Sequence, residues 1–363
     1  MKAGVVLHEI EKWAETVLSA AWEVNASDIH FVPRETVTLI EFRVNSHLYE
    51  FECLPPPIAA RLISHFKFRA GMDISDRRRP QDGAYHHWFG KDCVHLRFST
   101  LPVALEESLV IRLLPQSMTD RLNDLSLFPE ATFKLHSLLT YNNGLILISG
   151  PTGAGKTTTL YALLMAAKKR YNSRIITLED PVEKRNDQFV QMEVNEHADL
   201  SFYSGFKAIL RHDPDIIMVG EIRDKDTATI AIRAALSGKL VLTTVHAFDA
   251  VGAIHRLTEL GVSRFDLKET LVGVSSQRLI TIQCPHCGPV CKKDCPKRLY
   301  PQQKRTAIYE ILSGMPLHHY LSESPTKRIN FKRLDDYYQQ AYTMGYISSE
   351  VKNEYEKHPT LSR

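Results

Sequence analysis

Long apolar runs are what this sequence most lacks. None in its 363 residues approaches the roughly 18 that span a bilayer, and the N-terminus has no basic-then-apolar order of a secretory signal. Both absences predict a chain that stays in the cytosol. An excess of one charge is also missing: 45 Lys and Arg stand against 42 Asp and Glu, a net +3, too balanced to mark a nucleic-acid surface. Direct binding to nucleic acid is therefore not expected. Cysteine is scarce outside one short stretch, with four of the six between residues 284 and 295. In a reducing compartment such clustering speaks for a metal rather than disulfides. With 44% hydrophobic and 24% charged residues the composition speaks against a disordered chain, and the length suggests two or three domains.

What is present is organised around residues 150–160, GPTGAGKTTTL. Gly150, Gly155, Lys156 and Thr157 satisfy G-x-x-x-x-G-K-[ST], with Pro151, Thr152, Gly153, Ala154 and Thr158 completing the loop. Leu145-Ile146-Leu147-Ile148 before it has the length of a buried strand, and residues 158–164 after it carry helical periodicity. Strand, glycine-rich loop and helix in that order make a phosphate cradle. Backbone N–H groups and the positive helix end hold the polyanion, Lys156 reaches the terminal phosphates, and the Thr157 hydroxyl sits on Mg²⁺. ATP binding follows.

Four short apolar runs, residues 145–148, 175–178, 216–219 and 240–245, alternate with helical stretches, as strands buried on both faces of a parallel sheet do. The fold class read from this is an α/β nucleotide-binding core. Polar groups stand where those strands end, the place such folds bind ligands. Glu179 follows the second run, Glu221 the third and His246 the fourth. Phosphoryl transfer needs positioning and charge neutralisation more than covalent chemistry, so an acid there orients water or the metal's water shell. Glu221 is the first choice for activating water and Glu179 the second. His246 reads equally as a structural histidine or as a sensor of the terminal phosphate.

Residues 1–115 alternate otherwise. An amphipathic helix over 7–21, strands over 27–31 and 37–44, a helix over 58–70 and strands near 93–99 and 108–113, with Pro102 in the connection, predict a small α+β domain with an antiparallel sheet. Asp76-Arg77-Arg78-Arg79-Pro80-Gln81-Asp82-Gly83 reads as a basic run ending in a turn. Arg97 and Arg112 lie in alternating strands, from which a neighbouring subunit can present them to a nucleotide as charge-stabilising donors; by spacing alone, surface ion pairs are the simpler account. Beyond the core, Cys284, Cys287, Cys291 and Cys295 offer four thiolates for a tetrahedral Zn²⁺, with His286 a substitute ligand. Residues 305–312 read as a strand or helix start, and 334–356 as two amphipathic helices around Gly345. The domain boundaries expected are 1–115, 116–283, 284–300 and 301–363.

Four stretches together resemble the secretion ATPase superfamily that powers type II secretion and type IV pilus assembly. They are GPTGAGKTTTLYALL, ITLEDPVE, LRHDPDIIMVGEIRDKDTATIAIRAALSG and LVLTTVHAFDAVGAIHRL, the family's Walker A, Asp, Walker B and His boxes in order. SDIHF, DRRRPQDGAYH and RFSTLPVALEESLVIRLLP match its preceding domain, so the resemblance spans roughly residues 25–312. It implies a RecA-like P-loop core and a smaller PAS-like α+β domain. It also implies Glu179 as Asp-box acid, Glu221 as Walker B acid, His246 as sensor, and Arg97 and Arg112 as arginines supplied to the nucleotide. Ala247-Phe248 stands where the family often has Thr-Asn. Such proteins work as hexameric rings, peripheral to the inner face of the membrane, driving a platform protein that stacks pilin subunits. A compressed cysteine segment, an expected lack of the separate docking domain of the larger secretion ATPases, and short length most resemble the branch serving Gram-positive competence pseudopili and DNA uptake. Alternatives are type II secretion, type IV pilus assembly or retraction, a nucleotide-regulated scaffold that hydrolyses little, and a motor acting directly on nucleic acid.

Overall fold

A computed structural model of the chain describes residues 2–44, 47–104, 106–115, 122–195, 198–288, 304–322, 330–349 and 351–352. The chain divides into two compact units, residues 1–118 and 119–363.

The first unit runs α1 (Lys2–Glu23), β1 (Asp28–Pro33), β2 (Thr38–Val44), β3 (His47–Leu54), α2 (Pro56–Arg69), β4 (Gln81–Phe89), β5 (Asp92–Pro102) and β6 (Glu107–Pro115). Its strands form one sheet in the order β3-β2-β1-β6-β5-β4, antiparallel throughout. Alternate residues explain the layering. Ile29, Phe31, Leu96, Phe98 and Ile111 pack with Val17 and Leu18 of α1 and Leu62 and Phe66 of α2. The Phe66 ring centroid lies 5.9 Å from that of Phe31 and 5.7 Å from that of Phe98. On the other side chains of the same strands, Asp28, Arg97 and Arg112 stand side by side in register.

Three strands of this sheet depart from the expected organisation. β3 is an edge strand exposed along nearly its whole length, so its side chains show no in-and-out alternation to read. β4 begins at Gln81, so Gln81-Asp82-Gly83 is strand and not the expected turn. Gly83 is there for close approach: a Cβ on it would lie 2.5 Å from the Ala70 carbonyl oxygen at the end of α2. Pro102 ends β5 rather than sitting in the connection.

The second unit runs α3 (Pro129–Leu138), β7 (Gly144–Ser149), α4 (Lys156–Tyr171), β8 (Ile175–Glu179), β9 (Val190–Glu193), α5 (Phe202–Leu210), β10 (Ile216–Val219), α6 (Lys225–Leu236), β11 (Leu240–Val245), α7 (Ala250–Glu259), α8 (Arg264–Thr270), β12 (Leu271–Ile282), β13 (Lys304–Ser313), α9 (Gly314–Ser322) and α10 (Leu334–Thr343). Its seven-stranded sheet has the order β13-β12-β7-β11-β10-β8-β9, parallel except that β13 runs against β12. Every residue of β7, β8, β10 and β11 is buried, because helices cover both faces. Ile146 and Ile148 point to the face packed by Leu160 and Leu163 of α4, whereas Leu145 and Leu147 point to the face packed by α6 and α7. The expected α/β core is present, its four apolar runs being β7, β8, β10 and β11. Residues 305–312 form the antiparallel strand β13. α10 is the first of the two helices expected in the tail, and most of the second lies outside the described residues.

Candidate active site

The glycine-rich loop leaves β7 at Ser149 and enters α4 at Lys156. Gly150, Gly153 and Gly155 all have positive φ, at 142°, 76° and 83°, and a Cβ on Gly150 would lie 2.6 Å from the Gln277 carbonyl oxygen of β12. The tight turn aims the first N–H groups of α4 into a cavity of about 390 Å³. Pro151, Thr152 and Gly153 are exposed, Ala154 is buried, and Thr157 and Thr158 are half-buried at the helix start. Lys156 folds back over the loop, its Nζ donating to the carbonyls of Gly150 at 2.9 Å and Pro151 at 3.0 Å. Burial lowers its pKa, opposed by the nearby Glu221.

Glu179, Glu221 and His246 come to the same cavity from three adjacent strand ends. Glu179 is 3% exposed and surrounded by donors. Tyr161 Oη stands 2.9 and 2.8 Å from its two oxygens, Thr177 Oγ1 donates at 2.6 Å and Gln191 Nε2 at 3.3 Å. Burial raises its pKa, only partly offset by those bonds. Glu221 has the opposite balance. Burial would push it up, but the hydrogen bond and charge of Arg223, with His246 and Lys156 nearby, hold it below the usual carboxylate range. Its other oxygen is 3.4 Å from His246 Nε2. The loop carrying Glu221 is fixed to β11 by Thr244, whose hydroxyl donates to the Gly220 carbonyl at 2.7 Å and whose own carbonyl accepts from Ile222 N–H at 2.9 Å. The pocket thus joins an ammonium, a helix N-terminus, one ionised and one desolvated carboxylate and an imidazole, the set that phosphoryl transfer to water uses.

The remaining expected residues lie elsewhere. In the first unit Arg112 Nε donates to the buried Asp28 carboxylate at 2.8 Å, whereas Nε and Nη2 of Arg97 are buried with no hydrogen-bond partner among the described residues. Cys284 and Cys287 form a tight turn closed by Cys284 N–H to the Gly288 carbonyl at 3.1 Å and Gly288 N–H to the Cys284 carbonyl at 2.8 Å. Cys291 and Cys295 lie outside the described residues, among which no cluster of three or more His, Cys, Asp or Glu side chains is suited to a metal. Residues that sequence reasoning missed are Tyr161, Thr177 and Gln191 around Glu179, and Gln277 and Arg278 of β12. Gln277 Nε2 donates to the Ala154 carbonyl at 2.6 Å, and Arg278 Nη2 to the Phe248 carbonyl at 2.7 Å, tying the phosphate loop and the His246 loop to one strand. The signal was available in Ser275-Ser276-Gln277-Arg278, a polar run inside an otherwise apolar strand.

Residues 6–346 match the family model described as "Type II/IV secretion system protein". The chain belongs to this family. It is one of its P-loop ATPases. Competence protein ComGA of Bacillus subtilis is 43% identical over 349 residues, which is 94% of this chain and 97% of that protein. The type IV pilus assembly ATPase TfpB of Acinetobacter baylyi is 42% identical over 305 residues, 83% of this chain and 51% of the relative. Among solved structures, the Legionella pneumophila ATPase DotB superposes with a TM-score of 0.73 at 20% identity over 95% of both chains, a likeness of fold. The pilus retraction motor PilT, crystallised with ADP, gives 0.67 at 25% identity over 92% of this chain and 94% of that one. In this secretion ATPase no helix of the described residues is long and apolar enough to cross a membrane.

Proposed function

We propose that this secretion ATPase assembles a competence pseudopilus for DNA uptake, working as a homo-hexamer in the cytoplasm at the inner face of the cell membrane and driving a platform protein there. One observation carries the hydrolytic part: a single cavity gathers Lys156, Thr157, Glu179, Glu221 and His246. The similarity to ComGA along nearly the whole chain supports the competence assignment over the larger type II secretion and pilus ATPases. Lys156 and the first turn of α4 grip the terminal phosphates, Glu221 and Glu179 aim water, and His246 reads the γ-phosphate through Glu221. The Thr157 hydroxyl, at the helix start in the cavity that both acids line, fits Mg²⁺, which when bound would neutralise charge on the phosphates. Arg97, with two buried donors that have no partner among the described residues, and Arg112 are the arginines that a neighbouring subunit offers to the nucleotide. The Cys284–Cys287 turn fits half of a Zn²⁺ site, which Cys291 and Cys295 complete.

Steady-state turnover of the full chain tests this reading. Lys156→Ala should abolish Mg²⁺-dependent hydrolysis, and Glu221→Gln should lower it about 10²-fold or more while ATP still binds. Undiminished turnover in Lys156→Ala, or none in the unmodified assembled protein, would favour the scaffold instead. In cells, deletion should block DNA uptake and leave protein secretion untouched.

A further inference from the structure

Glu179 is the most enclosed acid of the cavity, and its geometry is set by one side chain of the phosphate-loop helix. Tyr161 lies on α4 one turn beyond Thr157, so the two share a helix face. It is 2% exposed, and its hydroxyl oxygen stands within 2.9 Å of both Glu179 oxygens and of the Lys184 carbonyl. That hydroxyl has one proton for three acceptors. The carboxylate is the strongest of these acceptors and takes the proton, while the two N–H groups of Gln191 Nε2 are shared among the hydroxyl at 2.8 Å, the Lys184 carbonyl at 2.8 Å and Glu179 Oε1 at 3.3 Å. Burial beside Glu179 pushes the Tyr161 pKa far above its ordinary value, which keeps the hydroxyl a donor at every working pH. Thr177 holds the Oε1 side from β8 at 2.6 Å.

We propose that Tyr161 is a positioning residue that fixes the Glu179 carboxylate for the attacking water and ties its orientation to the phosphate-gripping end of α4. The proposal rests on the reading of Glu179 as a site acid. A change in the first turn of α4 when phosphate is gripped is carried through four residues of rigid helix to the hydroxyl, and from there to both carboxylate oxygens. Other charged groups around Glu179 are few. Glu183, on the loop after β8, opposes its ionisation, Asp180 adjoins it, and Lys156, Glu221 and His246 stand around the same cavity. Hydrogen bonds from Thr177, Tyr161 and Gln191 favour the ionised form against burial.

The test compares Tyr161→Phe, Thr177→Val and Glu179→Gln in the full chain by kcat and KM for ATP from pH 5.5 to 9, with ATP-analogue binding as a check on folding. Removing the hydroxyl leaves the charged carboxylate less stabilised, so its pKa rises and the acid limb of kcat moves to higher pH, by about one unit. On the acid side of that limb kcat should fall roughly tenfold with KM within about twofold, and the deficit should shrink at higher pH as Glu179 ionises again. Thr177→Val should shift the limb in the same direction and keeps the test open if Tyr161→Phe does not fold. A Tyr161→Phe profile that coincides with the unmodified one, or lies below it by a constant factor at every pH, overturns the proposal in favour of a packing role. Normal turnover in Glu179→Gln would instead remove Glu179 from the site, a distinguishable failure.

Discussion

Gly150 and Gly153 occupy one loop and both have positive φ, yet a methyl group would meet different surroundings at each. At Gly150 it would lie 2.6 Å from the Gln277 carbonyl oxygen, a backbone atom of β12 in register with Tyr309 of β13, whereas at Gly153 nothing lies within 4 Å. Gly150→Ala should therefore move the loop, costing about 1–3 kcal/mol of stability and more than about tenfold in affinity for an ATP analogue. Gly153→Ala carries only the left-handed strain, about 1 kcal/mol. Denaturant unfolding and calorimetric titration of the two variants check this, and equal effects would contradict it. The loop itself was legible because spacing alone defines it. Glu179, Glu221 and His246 were legible as strand ends, since period and length reveal where a buried strand stops. The donors around Glu179 were not, because Tyr161 on α4, Thr177 on β8 and Gln191 on β9 meet only when three elements pack, and each alone reads as an ordinary core or edge residue. Arg97 and Arg112 looked alike in sequence, and only the sheet register shows Asp28 engaging one and leaving Nε and Nη2 of the other without a partner among the described residues.

Strands buried on both faces announced themselves as uninterrupted apolar runs, and edge strands did not. β3 and β9 present exposed residues along much of their length, so no pattern of burial is written into them. β13 is different: it carries polar residues inward for a structural purpose. Tyr309 Oη lies 2.9 Å from Thr159 Oγ1 of α4, and its pKa is pushed up to about 12 by burial. Glu310, next in the strand and 2% exposed, accepts from Ala250 N–H at 3.0 Å and Leu334 N–H at 3.2 Å, the first residues of α7 and α10. One carboxylate thus caps two helices that side chains of their own sequence leave partly unserved. Glu310→Ala strands two buried donors at about 1–3 kcal/mol each, so a loss on the order of 2–6 kcal/mol is expected, and Glu310→Gln, keeping one acceptor, should lose about half as much. Urea unfolding measures both; a change below about 0.5 kcal/mol for Glu310→Ala would show that water serves those helix ends instead.

Each of the two units has its own hydrophobic core, and within the second the nucleotide pocket and the cysteine segment draw on different parts of one sheet. The pocket is made at the ends of the parallel strands β7, β8, β10 and β11. The cysteines belong to the connection between β12 and β13, the antiparallel pair at the sheet's edge. Their turn also meets the end of α10: Gln283 N–H donates to the Tyr346 carbonyl at 2.8 Å, and a Cβ on Gly345 would lie 3.4 Å from Pro285 Cβ. A zinc ion there would staple the strand connection that packs on the α10 turn, adding its binding energy to the fold without touching the phosphate cradle. Metal analysis of protein purified without chelator should accordingly give one zinc per chain. Cys287→Ser, or chelation, should lower the melting temperature on the order of 5 °C, while affinity for an ATP analogue stays within about twofold. Protein free of zinc would end the metal reading, and a parallel collapse of nucleotide binding would mean that the strand pair β12–β13, through Gln277 under the phosphate loop, transmits the state of the cysteine turn to the pocket.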